Sequence, residues 1–138
     1  MKAYLDNPLL DLRGEEMKRT PPECQGAIAG IQALAMHEKR AITEEEIERI
    51  KGLQVPFRVA DAVCDALTAV IEGEKLDGKT KIERFDLARR VIAGGEQSFT
   101  VTEASQIIKA ADTLYGVLVY GQIHAIFDDK EEEPHDAV

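Results

Sequence analysis

The chain has 138 residues, a mass of 15.3 kDa, 44% hydrophobic and 31% charged residues. That is the size and composition of one globular domain, able to bury about two-thirds of its unfolded surface without disulfide or metal staples. Its 17 basic and 26 acidic side chains give a net charge of −9, which excludes the basic surface that nonspecific binding to nucleic acid or anionic lipid requires.

Residues 1–19 read as extended. Tyr4-Leu5, Leu9-Leu10 and Leu12 are punctuated by Asp6-Asn7-Pro8 and Arg13-Gly14, turn chemistry that predicts a hairpin or a strand lying across helices. Thr20-Pro21-Pro22-Glu23 has the form of a capping box with proline in the first helical turn. Ala27, Ile28, Ile31, Leu34 and Ala35 then mark one helical face at the expected spacing. A second box, Thr43-Glu44-Glu45-Glu46, opens a shorter helix containing Ile47 and Ile50, with Gly52 as its stop.

Pro56 marks the next start. Val59, Val63, Ala66, Leu67 and Val70 form a stripe that ends at Gly73, with Arg58, Asp61, Asp65 and Glu72 on the polar side. After the turn Leu76-Asp77-Gly78, the stripe Ile82, Phe85, Ala88 and Ile92 runs opposite Glu83, Asp86 and Arg90. Gly94-Gly95 breaks the chain. Ser98-Phe99 is extended, and Thr100-Val101-Thr102-Glu103 is a third capping box. Ala104, Ile107, Ile108, Ala111, Leu114 and Tyr115 form the next stripe, with Gly116 as a C′ residue. The last helix, 117–127, is apolar nearly all round, which suits a central place in the core or an interface. The expected fold is all-α: a single compact bundle of five or six helices over 1–127, with a short extended or hairpin N-terminal segment.

Residues 128–138 hold six acidic side chains against Lys130. Such a tail is expected to be a solvated end, or else to dock on a basic partner as a nucleic-acid mimic. Cys24 and Cys64 lie among small or apolar neighbours and are expected to be free buried thiols. The first six residues carry no apolar signal region, and the apolar run 117–127 is shorter than the about 18 residues that a membrane span needs. A cytoplasmic protein is expected.

No chemistry-bearing constellation is visible. Cys24, His37, Cys64 and His124 lack every metal-ligand spacing, so no metal is expected. His124 on the apolar last helix reads as a partly buried structural imidazole, and His37 as a helix C-terminal residue suited to the dipole. Gly94-Gly95 is not followed by Gly-Lys-Ser/Thr, and Ser98 and Ser105 lack a nucleophile elbow. No cofactor and no enzymatic activity are expected. Lys79, Lys81, Arg84, Arg89 and Arg90 are interleaved with Glu83 and Asp86, so they form no continuous basic face. A helix pair about Gly116 has the outline of a DNA-recognition unit, but its second helix lacks Arg, Lys and Asn to read bases.

Three segments, Leu76-Asp77-Gly78 with Glu83-Arg84-Phe85-Asp86-Leu87-Ala88, Val101-Thr102 with Ile107-Ile108-Lys109, and 114–122, resemble a family of small uncharacterised phage and prophage proteins. The opening Leu5 through Gly14 echoes the same family, and residues from about 19 to 55 look like additional helical material beside its shorter members. The resemblance implies a phage protein working inside a bacterial cell, and it carries no catalytic or cofactor residue. The expected function is therefore a non-enzymatic phage-encoded accessory protein that binds a phage or host protein, as assembly factor, virion component or acidic inhibitor. A small helical DNA-binding regulator of phage genes is the alternative. Candidate partner-binding residues are Glu44, Glu45 and Glu48 in the acidic helix start, Tyr120 and Phe127 on the apolar last helix, and Asp128, Asp129, Glu131, Glu132 and Glu133 in the tail. A homo-oligomer is a further option; membrane is excluded as a partner and nucleic acid is not expected.

Overall fold

The computed structural model describes residues 1–128. Its elements run β1 (Lys2–Tyr4), β2 (Lys18–Arg19), α1 (Pro22–His37), α2 (Glu44–Gly52), β3 (Val55–Pro56), α3 (Val59–Thr68), α4 (Gly78–Ile92), β4 (Glu96–Ser98), α5 (Val101–Leu114) and α6 (Val117–Phe127). About 59% of the described residues are helical. The fold is mostly helical rather than purely all-α, because β1 pairs antiparallel with β4 and β2 with β3.

The centre is α3. Seven of its ten residues are buried, and it packs against α4, α5 and α6. Val59 and Val63 are fully enclosed, each such side chain contributing about 1.5–3 kcal/mol by leaving water. A helix sunk this deeply needs partners for its first amides. The N-terminal segment supplies them: the Val59 N–H donates to the Asn7 carbonyl and the Ala60 N–H to the Leu5 carbonyl, both at 2.9 Å. Leu5 and Leu9 are thereby carried into the core. The extended N-terminal reading therefore holds, with a tight turn at Asp11–Glu15 where Asp11 Oδ1 accepts from the Arg13 and Glu15 amides.

Four local expectations are corrected. Helix α1 starts at Pro22 with Pro21 as its N-cap, and Thr20 makes no cap; residues preceding a proline are driven out of the helical region, and Thr20 and Pro21 both precede one. Helix α3 stops at Thr68, leaving Val70 entirely exposed and Gly73 in a later turn at φ 86°. Gly116 is the N-cap of α6 at φ −82°, not a left-handed C′ residue. Helix α4 buries Arg84, Leu87, Ala88 and Val91, whereas Ile82, Phe85 and Ile92 of the expected stripe are exposed. The boxes at Thr43 and Thr100 form as read, and Ala104, Ile107 and Ala111 of α5 are buried.

Residues 20–54 stand apart. The register Arg19↔Val55 brings the two ends of this stretch together, and the core cluster draws no residue from it. Its two helices are tied at their turn by Arg40, whose guanidinium donates to Glu46 at 2.7 and 3.1 Å and to Glu38 at 2.6 Å. Replacing 20–54 by a two-residue Asn-Gly turn, which suits such paired strands, leaves the remaining helices folded: circular dichroism is expected to show cooperative unfolding, and a noncooperative melt would refute the arm's independence.

Gly94 and Gly95 connect α4 to β4 at φ 74° and 73°, a region costly for other residues. A methyl at Gly94 would also overlap the Asp6 carboxylate, whereas one at Gly95 meets open space. Gly94→Ala is expected to cost about 1–3 kcal/mol in urea unfolding and more than Gly95→Ala. The excess should vanish in an Asp6→Ala background; an undiminished excess would refute the overlap.

Candidate functional site

The expected partner-binding residues do not come together. Glu44, Glu45 and Glu48 are exposed on α2, in the arm outside the core. Tyr120 is half-buried, its ring 5.7 Å from that of His124. Phe127 was expected at an interface, but it is 1% exposed and its ring meets Phe99 edge-on at 5.4 Å. It is a core residue because α6 turns that side toward α5 and α3. Asp128 is half-buried with Oδ2 3.9 Å from His124 Nδ1. Asp129, Glu131, Glu132 and Glu133 lie outside the described residues.

Asp61 and Asp65 were expected on one solvated face, but Asp61 is buried. It accepts from the Arg58 amide at 3.1 Å and from that residue's guanidinium at 3.1 and 3.3 Å. Arg58 also reaches Asp6 at 3.2 Å, and Arg19 pairs with Asp65 at 3.1 Å while its guanidinium lies over the Phe57 ring. Burial pushes the Asp61 carboxyl up, but the Arg58 hydrogen bonds outweigh it and hold the group below the ordinary carboxylate range. Burial also raises Asp65 and Tyr115, and pushes the half-buried Cys64 thiol up to about 11. The Tyr115 hydroxyl donates to the Ala62 carbonyl at 2.7 Å. A thiol held that high is a poor nucleophile at neutral pH. The whole cluster ties the N-terminal segment, the β2–β3 ribbon and α5 onto α3.

A different region has the features of a binding site. Between residues 67–76 and α4 lies an open groove of about 600 Å³, walled by Leu67, Val70, Ile71, Leu76 and Phe85. Arg84 lines it, with its side chain only 3% exposed. Its Nε donates to Gln106 at 3.3 Å and its Nη1 stands 3.9 Å from Glu74, but Nη2 is buried without a hydrogen-bond partner among the described residues. Sequence reasoning treated Arg84 only as one of several surface cations. Its position in phase with Leu87, Ala88 and Val91 was the signal available.

His37 and Asp86 are exposed. Among the described residues, no group of three His, Cys, Asp or Glu side chains is placed to hold a metal ion, and no helix is long and apolar enough to cross a membrane.

Because Asp61 binds its proton less readily in the folded chain than unfolded, it contributes stability above its unfolded value and loses it on acidification. Asp61→Asn is expected to cost about 1–3 kcal/mol near neutrality, from the lost charged hydrogen bonds. The deficit should shrink below about pH 4, near the ordinary carboxylate value. Urea titrations across pH that show a constant deficit would refute the ionic role.

Family models, curated proteins and solved structures yield no match to this chain, so a functional reading stands on the fold, the groove and the Arg84 cluster.

Proposed function

We propose that this chain is a non-enzymatic phage accessory protein that acts by binding another protein inside a bacterial cell, as an assembly factor, a virion component or an acidic inhibitor of a host protein. One observation carries the reading: α4 presents Ile82, Phe85 and Ile92 outward while it buries Arg84. A helix that turns its large apolar side chains to solvent and a guanidinium inward works against its own stability. Such local reversals concentrate where a surface is kept for a partner. The phage origin is part of this proposal and rests only on the likeness read in the sequence over residues 76–127. The arm at 20–54 adds a second surface, with Glu44, Glu45 and Glu48 exposed on it.

The full-length chain, tagged and expressed in phage-infected bacteria, is to be cross-linked, recovered and its companions identified. One stoichiometric protein companion is expected. A capsid or tail protein would indicate assembly, and a nuclease or polymerase inhibition. Contacts made by the acidic helix should weaken as salt screens them, whereas apolar contacts at α4 should persist. Recovery of no protein would overturn the reading, and retention of phage DNA alone at about 50 mM salt would replace it with a DNA-binding regulator.

A further inference from the structure

We infer that the groove between residues 67–76 and α4 seats an acidic, apolar peptide segment of the partner protein, with one of its carboxylates on Arg84. The inference rests on the protein-binding reading above and names the site and the chemistry recognised there.

Arg84 sets the chemistry. Taking a guanidinium out of water is costly, and the cost is recovered only when its donors are filled. Here Gln106 takes Nε, Glu74 stands at the edge of contact with Nη1, and Nη2 has no partner among the described residues. The open donor belongs to a planar fork that matches a carboxylate's two oxygens. An apolar side chain of similar reach would fill the same space at less cost. The charged one is explained by an acceptor that arrives from outside.

The walls set the rest of the ligand. Leu67, Val70, Ile71, Leu76 and Phe85 offer apolar contact, and Lys75 and Lys81 stand at the same groove. Together with Arg84 they outnumber Glu74, the one acidic residue among the described residues that line the groove, so its lining is net positive on a chain of net charge −9. Such a patch selects acidic partners and rejects basic ones. Apolar surface also lies outside the groove's lining: Ile82, one turn before Phe85 on α4, is 64% exposed. A small organic acid would fill the groove and leave that surface wet, whereas a peptide segment covers both.

The test uses the full chain against a library of short random peptides displayed on yeast. Recovered sequences are expected to place Asp or Glu within two positions of Leu, Ile or Phe. A synthetic peptide of the consensus should bind wild type, and should lose affinity about 30-fold or more on Arg84→Met or on Glu→Gln in the peptide. Thermal stability of Arg84→Met should hold or rise, since an incompletely paired buried ion is replaced by an apolar chain; a purely structural arginine would lower it. Phe85→Ala, at an exposed position, stays folded and should weaken binding about fivefold or more. If Arg84→Met fails to fold, Phe85→Ala and the Gln-bearing peptide decide the matter. Consensus peptides without an acid, equal binding to the variants, no enrichment, or full displacement of the peptide by octanoate would each overturn the inference. A companion recovered from infected cells that binds both variants as tightly as wild type would leave protein binding standing and remove the groove from it.

Discussion

The buried N-terminus of α3 is the constraint on which the rest of the molecule depends. A helix packed on three sides offers amides that water cannot reach, and unfilled amides in such a place cost more than the helix gains. The chain answers with two devices. Carbonyls of Leu5 and Asn7 take the Ala60 and Val59 amides, and the Asp61 carboxylate turns back onto the Arg58 amide. Everything that lies over α3 follows from the first device, because a segment that caps a central helix must itself be held. It is held at one side by β4 and at the other by the β2–β3 ribbon, where Leu9 bonds with Phe57.

This arrangement separates two kinds of charged group. Arg58 and Arg19 are surrounded by Asp6, Asp61 and Asp65, so their charges are spent internally on joining segments. Arg84 is more deeply buried and less completely paired. Deeper burial with poorer pairing marks the difference between a cation that fastens the fold and one reserved for something outside it. The exposure of Phe85 beside it points the same way: one helical turn carries both a phenyl ring that is more than half exposed and a charge without full compensation.

Much of the architecture was legible in the sequence. Six helices form in the stretches that periodicity marks, although the start of α1 and the end of α3 differ, and two of three Thr-x-x-Glu boxes form as read. The third fails because Pro22 imposes extended backbone on Pro21, so the helix begins one residue later and Thr20 falls outside the cap position. The faces of α3 and α4 were harder. Asp61 looked solvated because Arg58, three residues earlier, reads as an ordinary surface neighbour on the same helix, and nothing local shows that Arg19 also approaches it from a separate segment. On α4 two phases compete, one with Ile82, Phe85 and Ile92, the other with Leu87 and Val91 interrupted by Arg84. Periodicity favours the first, which has the larger side chains and no charge. Only the neighbours of α4, Gln106 on α5 and Glu74 in the connecting loop, make the second acceptable. The groove was therefore out of reach of the sequence, since residues 68–76 had been read partly as helix. Of the candidate binding residues, Phe127 was misplaced because an apolar helix does not declare which of its sides meets the core.

The pairing of Lys2 with Ser98 also governs how the chain reaches this state. Contacts between residues so far apart in sequence close late and slow folding, since the intervening loop must be restrained first. During synthesis α3 emerges well before its neighbours α4 and α5, and β4 appears only after three-quarters of the described chain. Until then Leu5, whose amide bonds to the Gly95 carbonyl, has no sheet to anchor it, and the amides of Val59 and Ala60 compete for water. The nascent chain thus carries its central helix half-capped and its N-terminal leucines uncovered. That interval, rather than the finished fold, is where the protein is most exposed to misassociation and to chaperones.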